Sequence, residues 1–249
     1  MASTPSFEDL PLEAVIRAAH YNHHHRSVQS GGMRAAVFGA SDGLVSNAAL
    51  ILGVAAADPS PGVVRLAGVA GLIAGAVSMA AGEYVSMRAQ AELFERELAV
   101  ESRALRENPG LETLELLKIY EARGLEPELA QELAETMMSD PVTALGAHAR
   151  EELGMDPDQL GSPVTAAAWS FVSFAVGAFI PLLPWLLGGG TAAIVATLVL
   201  GVVGALALGG LVGWLSGRSI PFAAARQAAI AVVAGGVTYG IGALVGVGA

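Results

Sequence analysis

The segment AGAVSMAAGEYVSMRAQAELFERELAV, residues 74–100, changes from apolar to charged with no proline or glycine at the change. Its first half has the composition of a helix in a bilayer, and its second half is typical of a helix in water. The pattern therefore predicts one continuous helix that leaves the membrane. Glu83 precedes the change, where burying a carboxylate is unfavourable, so its presence requires an explanation.

The composition indicates a membrane protein. Of the 249 residues, 53% are hydrophobic and only 14% are charged, which is more apolar than an ordinary soluble domain. The chain has no cysteine, which excludes disulfides, thiolate zinc sites and iron–sulfur clusters and leaves oxygen, imidazole and thioether ligands for any metal. Residues 1–33 contain no apolar stretch, so we expect a cytoplasmic N-terminal segment without a cleavable signal.

Five apolar stretches are long enough to cross a hydrocarbon core of about 30 Å. They lie near residues 34–56, 63–88, 164–187, 190–215 and 222–247. Arginines flank alternate ends of these stretches, at Arg34, Arg88 and Arg218 among others, which places the N-terminus in the cytoplasm. We predict an all-α membrane protein with two transmembrane helices in 34–88, an acidic helical domain in 89–160 and three transmembrane helices in 161–249.

Residues 89–160 form a separate acidic segment between the second and third spans. They contain 17 acidic and six basic residues, whereas the rest of the chain has six acidic and seven basic ones. Apolar periodicity and turn residues predict helices near 89–107, 111–123, 126–139 and 141–153. Because a folded acidic segment attracts cations and repels nucleic acid, we predict a cytoplasmic metal-binding domain here.

Three residues are candidate ligands within the spans. Met79 and Glu83 are four residues apart and share a helix face, and Asp42 lies in the first span. Burial favours the protonated form of a carboxylate, and a bound divalent cation displaces that proton, which is the basis of an exchange mechanism. The alternative is structural, with Glu83 at the rim of the membrane and Asp42 capping a broken helix.

Acidic residues recur at helical spacing in the acidic segment. The pairs Glu97/Glu101 and Glu112/Glu115, and His148 with Glu152, each lie on one helix face and could share a cation. The alternative is a solvated acidic face. A ferritin-like di-iron centre would need Glu-x-x-His, but Leu145 stands three residues before His148. The run His23–His25 is a further candidate ligand group, in the N-terminal tail.

Three motifs, FGASDGLVSN at 38–47, AGAVSMAAGEYVSM at 74–87 and AHAREELG at 147–154, together resemble the vacuolar iron transporter family in its bacterial branch. The resemblance implies five spans, a homodimer, a cytoplasmic metal-binding domain and exchange of Fe²⁺ for protons. By position it implies a membrane site at Asp42 and Met79 and domain ligands at Glu101, Glu112, Glu115 and Glu152.

The chain departs from the plant-type pattern at several of these positions. Ala104 replaces a glutamate, His148 and Ala149 replace paired methionines, and Gly71 replaces a carboxylate. Glu83, in contrast, stands where plant-type members have glycine. The resemblance therefore leads us to expect that Glu83 supplies a second membrane acid and that His148 replaces a thioether ligand.

These features predict a proton-coupled exporter of Fe²⁺, with Mn²⁺, Co²⁺ or Zn²⁺ as alternative substrates and no organic cofactor. We expect a homodimeric, multi-pass protein of the bacterial inner membrane that binds metal ions, protons and the lipid bilayer but no nucleic acid. Two alternatives stay open from the residues alone: a membrane-anchored metal-dependent oxidase with a di-metal site, and an interaction protein whose acidic domain binds a basic partner.

Overall fold

The computed structural model describes residues 31–154 and 161–246, with side chains from residue 35 onward. The described residues form eight helices and no strand: α1 (Gly31–Ala56), α2 (Pro61–Glu107), α3 (Pro109–Ala122), α4 (Pro127–Met137), α5 (Pro141–Glu151), α6 (Pro163–Leu187), α7 (Gly190–Leu215) and α8 (Ile220–Gly246). The all-α fold class is therefore confirmed. The candidate ligands His23–His25 lie outside the described residues.

Five of the helices, α1, α2, α6, α7 and α8, are long and apolar enough to cross a membrane. They coincide with the five predicted spans, and their ends differ from the predicted ends by at most three residues apart from the continuation of α2. Turns with positive φ separate them, at Asp58 before α2, Gly190 at the start of α7 and Gly217 before α8. The prediction of five spans is confirmed by length and composition.

Helix α2 continues well beyond the length that a bilayer requires. Its 47 residues span about 70 Å at about 1.5 Å per residue, against about 30 Å for the hydrocarbon core. The apolar residues occupy its first half, so the second half projects from the membrane region and packs with α3 and α5. An unbroken helix between the second span and the acidic segment is thus confirmed.

Close backbone contact joins α1 to α6. A Cβ atom on Gly43 would overlap the carbonyl oxygen of Phe174, and one on Gly177 would overlap the carbonyl oxygen of Ala40. Small residues four apart, Gly39 and Gly43, allow two membrane helices to approach this closely. Because Gly43 faces α6, its neighbour Asp42 is turned about 100° away from that contact and is exposed in the single chain.

Substitution of Gly43 is expected to disrupt this contact. Gly43→Leu places a side chain against the α6 backbone, which cannot move like the end of a flexible side chain, so we expect a clear loss of folded protein. Gly82→Leu is the matched control on α2, because no atom of the described residues lies within 4 Å of a Cβ atom there. Size-exclusion chromatography in detergent measures both variants. Equal yields of the two would contradict the proposed contact.

The short helices α3, α4 and α5 form a small apolar core of their own. Leu116 and Tyr120 of α3 pack against Ala130 and Ala134 of α4 and against Ala147 of α5. An ion pair between Arg123 and Glu151 joins the end of α3 to the end of α5. We name these three helices and the second half of α2 the helical insert. The ends of α3, α4 and α5 lie within two residues of the predicted ends, and the predicted helix 89–107 is the last part of α2.

Candidate metal centre

Three carboxylates from different parts of the insert converge on one buried imidazole. The Nδ1 atom of His148, on α5, lies 3.1 Å from Glu101 Oε1 of α2 and 3.5 Å from Glu152 Oε2, just after α5. Glu112 Oε2 of α3 lies 4.0 Å from the same nitrogen. The cluster of Glu101, Glu112, His148 and Glu152 therefore joins the long membrane helix to the insert.

The cluster is sheltered from solvent but its hydrogen bonding is incomplete. His148 is fully buried, and Glu101 and Glu112 are 7% and 9% exposed. Within the described part of the chain, His148 Nε2 has no hydrogen-bond partner, and Glu101 Oε1 has only the contact with His148 Nδ1. Buried polar atoms are usually paired because leaving them unpaired is unfavourable. Ligand atoms of Glu101, His148 and Glu152 lie within 4.8 Å of one another, so a single cation could contact all three.

The electrostatics of the cluster favour the arrival of a cation. Burial raises the pKa of Glu101 above its ordinary value of 4.5, and the neighbouring acids Glu152, Glu112 and Glu115 raise it further, while His148 opposes this shift. The carboxylates therefore destabilise one another when ionised. A divalent ion would relieve this repulsion, and one imidazole with several carboxylates suits Mn²⁺, Fe²⁺, Co²⁺ or Zn²⁺.

Asp140 caps the N-terminus of α5, the helix that carries His148. Its carboxylate accepts hydrogen bonds from the backbone N–H of Thr143 at 2.8 Å and from the Thr143 hydroxyl at 2.9 Å, capping the start of α5. These bonds lower the pKa of Asp140. The stabilisation is therefore present above the ordinary pKa of an aspartate and is lost as the pH falls through the lowered pKa.

Removal of this cap is expected to loosen the metal centre. Asp140→Ala should lower the midpoint of thermal unfolding and weaken metal binding, because α5 loses its N-terminal hydrogen bonds. Asp140→Asn, which still offers an oxygen to Thr143, should retain most of both. Thermal unfolding in detergent with and without Mn²⁺ measures the effect. Equal losses of stability and metal binding in the two variants would show that the negative charge of Asp140, and not its hydrogen bonds to Thr143, stabilises α5.

Two further predicted ligands lie beside the cluster. Glu115 is exposed on α3 but is near enough to raise the pKa of Glu101. Glu97 is half-buried one turn before Glu101 on α2. Neither belongs to the group that could share one cation within the described residues. Their roles as ligands stay predictions.

The three candidate metal ligands within the spans have different surroundings. Met79 is half-buried and packs against the cluster of Ala76, Phe174 and Ala178. Glu83 is also half-buried on α2, whereas Asp42 is exposed near the middle of α1. An acid inside an apolar span normally faces a protein interior or a water-filled cavity, and in the single chain Asp42 is instead exposed on the outer surface of α1.

Helix packing separates these candidates along the membrane normal. Gly71 of α2 lies against the side chain of Asn47 of α1. Because the two helices are antiparallel, Gly75 and Gly43, each four residues nearer the insert, lie at about the same level. Counted at about 1.5 Å per residue along the antiparallel helices, Met79 lies about 4.5 Å and Glu83 about 10 Å from the level of Asp42, toward the insert. Asp42 and Met79 are thus within one helical turn, and Glu83 lies about two turns away.

Sequence reasoning did not assign a role to Asn47. Its amide is 1% exposed, and Nδ2 donates to the carbonyl oxygen of Ala178 at 2.7 Å. The Oδ1 atom faces Gly71 and has no hydrogen-bond partner in the described part of the chain. A Cβ atom on Gly71 would be 2.8 Å from Asn47 Oδ1 and would overlap Leu50. A side chain at residue 71 would therefore need the Leu50 and Asn47 side chains to shift.

A second polar contact also escaped sequence reasoning. Gln227 of α8 donates a hydrogen bond to the hydroxyl of Ser41, the residue before Asp42. The two residues are 186 positions apart in sequence, so no local spacing could have indicated the pair. The contact ties α8 to α1 beside Asp42.

Five apolar spans with a buried carboxylate–imidazole cluster on helices beyond them define a multi-pass membrane protein with a candidate metal centre outside its spans. Residues 33–243 match the sequence profile of the VIT family. The chain belongs to this family, which confirms the resemblance found in the sequence motifs.

Curated relatives cover most of the chain. Vacuolar iron transporter 1 of Oryza sativa subsp. japonica is 29% identical over 245 residues, 97% of each chain. The vacuolar iron transporter of Acanthamoeba castellanii is 36% identical over 224 residues, which cover 86% of this chain and 79% of the relative. Vacuolar iron transporter 1 of Arabidopsis thaliana is 30% identical over 168 residues, 67% of each chain.

Proposed function

We propose that the protein exports Fe²⁺ from the cytoplasm in exchange for protons. Family membership supports a metal transporter over the two alternatives, a metal-dependent oxidase and an acidic interaction protein. The observation that carries the proposal is the convergence of Glu101, Glu112 and Glu152 on the buried His148. An acidic surface that only binds a basic partner would have no reason to bury its carboxylates around an imidazole.

In this proposal the insert captures the ion and the spans release it. The ion binds at the cluster around His148 and then moves to the level of Asp42 and Met79, with Glu83 between the two. Helix α2 carries Glu101, Glu83 and Met79 on one uninterrupted helix. A rigid element that contributes to both sites can keep them in register while the ion moves.

Proton exchange follows from the surroundings of the membrane acids. A carboxylate in a low-dielectric region is unfavourable when charged and alone, so it holds either a proton or a cation. Binding of the metal releases the proton, and departure of the metal on the far side allows protonation from that side. Asp42 is the acid nearest the middle of a span and is the residue to which we assign this exchange.

The ligand set narrows the choice of metal without naming one. Carboxylate, imidazole and thioether ligands together disfavour Mg²⁺ and Ca²⁺, which prefer oxygen alone. These ligands do not identify one metal among Fe²⁺, Mn²⁺, Co²⁺ and Zn²⁺. Most sites with such ligands bind divalent metals in the same Irving–Williams order of affinity, whichever metal they serve. Iron is proposed because the relatives are named iron transporters. No organic cofactor enters the mechanism.

Orientation and assembly are part of the same proposal. The arginines at Arg88 and Arg218 support a cytoplasmic N-terminus and a cytoplasmic insert. We propose the plasma membrane of a bacterium as the location, although the relatives are named vacuolar. The exposure of Asp42 in a single chain supports a homodimer, because a second copy would cover an acid that would otherwise face lipid.

Proteoliposomes with an imposed pH gradient test the transport mechanism. In the wild type, protons should leave the lumen as Fe²⁺ enters it, so the lumen should become more alkaline in step with the Fe²⁺ flux. Asp42→Asn should reduce the flux by roughly tenfold or more, because a neutral amide cannot exchange a proton for a cation. Glu83→Gln should reduce it as well.

Asp58→Asn is the matched control for the same chemical change outside the spans. Asp58 lies in the turn before α2 with φ of 51°, a conformation that asparagine tolerates well. The Fe²⁺ flux of the Asp58→Asn variant should equal that of the wild type. Wild-type flux in Asp42→Asn would refute the membrane site, and oxygen consumption without metal flux would favour the oxidase.

A further inference from the structure

The last three spans contain two charged side chains that no acid balances. Residues 161–249 have no aspartate, glutamate, lysine or histidine, and their only charged side chains are Arg218 and Arg226. Both arginines are exposed. Neither side chain has an ion pair or a hydrogen bond with any other described residue. Two positive charges without a protein counterion attract an anionic partner.

The backbone of Arg218 is held in the turn between α7 and α8. Its N–H donates to the carbonyl oxygen of Gly213 at 2.9 Å, and Gly217 before it has a φ of 64°, so a left-handed glycine closes the end of α7. Helix α8 begins two residues later, at Ile220. Because α6 follows the insert and α6 and α7 each cross the membrane once, this turn lies on the insert side of the spans.

Arg226 lies about 9 Å along α8 from its start and faces the lipid. The next residue, Gln227, faces the protein, where it donates a hydrogen bond to Ser41 and lies against Gly209. Arg226 is turned about 100° away from that contact, which agrees with its exposure. Helix side chains lean toward the N-terminus, so its guanidinium extends back toward the headgroups on the insert side. An arginine in a span keeps its charge out of hydrocarbon in this way.

Exposed aromatic side chains lie near the two arginines. Phe222, one turn before Arg226 and on the same face of α8, is 70% exposed, and Trp214 at the end of α7 is 57% exposed. Aromatic residues in these places are typical of the interface between membrane and water. A soluble anion would leave both rings uncovered, whereas the glycerol and acyl parts of a phospholipid would cover them. We name Trp214, Arg218, Phe222 and Arg226 the arginine surface.

The acids of the insert are the other source of negative charge on this side of the spans. The insert helices pack against one another and α2, whereas α8 packs against α1 and α7. In the ranges 35–154 and 161–246, no ion pair joins an insert acid to the arginine surface. The remaining source of negative charge at this depth is the phosphate of a lipid, which the bilayer itself supplies.

We propose that Arg218 and Arg226 bind the phosphate of an anionic phospholipid, and that the bound lipid holds α8 in place beside Asp42. Arginine suits a phosphate because its planar guanidinium can donate two parallel hydrogen bonds.

Gln227 provides the link to Asp42. It follows Arg226 in α8 and donates a hydrogen bond to Ser41, which precedes Asp42 in α1. A lipid that fixes Arg226 therefore also favours the position of α8 in which this hydrogen bond forms. The link to Asp42 rests on the proposed transport function, whereas the lipid site does not.

Binding of phosphatidylglycerol to the full-length protein in detergent tests the lipid site. Arg218→Gln and Arg226→Gln should each weaken binding roughly fivefold, and the double variant roughly 30-fold, as expected for basic residues beside an anionic headgroup. The double lysine variant keeps both charges but loses the paired hydrogen bonds, so its affinity should lie between those of the wild type and the double glutamine variant. Phosphatidylcholine, which has no net charge, should bind all of these proteins equally.

Arg65→Gln combined with Arg103→Gln is the control, because it removes two exposed arginines elsewhere in the chain. It should bind phosphatidylglycerol as the wild type does. Wild-type affinity in the double glutamine variant would overturn the site, and so would a double lysine variant that binds no better than the double glutamine variant. Displacement of the lipid by an equal concentration of inorganic phosphate would overturn the lipid as the ligand, because the surface would then take a soluble anion.

Fe²⁺ flux into vesicles of phosphatidylcholine, with and without phosphatidylglycerol, tests the link to Asp42. The anionic lipid should raise the flux of the wild type and of the control, but not that of the double glutamine variant. Gln227→Leu should bind the lipid normally and lose this response. An unchanged response in either of these two variants would overturn the link and leave the lipid site in place. Absence of Fe²⁺ flux in the wild type would refute the transport function and this link, while binding in detergent would still decide the lipid site.

Discussion

Replacement of His148 with leucine is expected to weaken the binding of Fe²⁺ or Mn²⁺ by roughly 10–100-fold. The imidazole is the one nitrogen ligand of the cluster and the group on which Glu101, Glu112 and Glu152 converge. Leucine has a similar size and is suited to a fully buried position, so the insert should fold. The carboxylates would then face an apolar group, which favours their protonated forms, and these protons would compete with the metal.

Isothermal titration of the purified protein with Mn²⁺ measures this loss. Glu128→Gln is a suitable control, since it removes one negative charge from an exposed position on α4 and leaves the cluster intact. His148→Met should fall between the wild type and leucine because it keeps a thioether ligand. An unchanged affinity in His148→Leu would show that the insert binds metal elsewhere or only through its diffuse charge.

Local patterns were sufficient to predict the helices of this protein. The predicted span 190–215 coincides with α7 because a run of three glycines precedes it and Gly217 follows it. The continuous α2 was predictable because its apolar and charged halves meet without a breaker. In each case the signal lies within a few residues of the feature, which is the range over which helix propensity and turn chemistry act.

The candidate site was predictable only in part. Helical spacing identified pairs such as Glu97 with Glu101, but it could not choose which member meets the imidazole, because that depends on how α2, α3 and α5 pack. The structure brings Glu101 into the cluster and leaves Glu97 one turn away. The motif resemblance selected Glu101, Glu112, Glu115 and Glu152. Three of these carboxylates lie within 4.0 Å of His148 Nδ1, and Glu115 is exposed on α3.

Contacts between distant parts of the chain could not be predicted from spacing. Asn47 donates a hydrogen bond to the carbonyl oxygen of Ala178, 131 residues away, and its Oδ1 atom faces Gly71. The exposure of Asp42 likewise follows from the way Gly43 packs on α6. A single sequence records that Asn47 and Asp42 are polar residues in a span, but only tertiary packing determines which direction each one faces.

In the metal-free protein, Glu101→Gln is expected to raise thermal stability at neutral pH even though it should weaken metal binding. Burial and the neighbouring acids raise the pKa of Glu101 in the folded protein. Glu101 of the unfolded chain loses its proton near pH 4.5, whereas Glu101 of the folded protein keeps its proton up to the raised pKa. The free energy of unfolding therefore falls as the pH rises through this interval. Glutamine is neutral and nearly the same size, and it removes this penalty while it also loses the attraction of His148.

When metal is present, the wild type should be more stable than Glu101→Gln. A simple packing effect of the substitution would not depend on metal, so this reversal distinguishes the two explanations. A ligand that binds only the folded state stabilises it by RT ln(1 + [L]/Kd), about 2.7 kcal/mol at one hundred times Kd. Excess Mn²⁺ should therefore raise the unfolding midpoint of the wild type well above that of Glu101→Gln. In the presence of a chelator the order should be the opposite, and the difference should shrink as the pH is lowered toward 4.5.

Thermal unfolding of the wild type and of Glu101→Gln, each with chelator and with Mn²⁺, is measured at several pH values. Glu128→Gln should show neither the gain without metal nor the loss with it, because its carboxylate is exposed to solvent. A Glu101→Gln variant that is less stable than the wild type in chelator at neutral pH would contradict the prediction. Its carboxylate would then stabilise the insert through His148, and the cluster would be a structural ion pair that needs no metal.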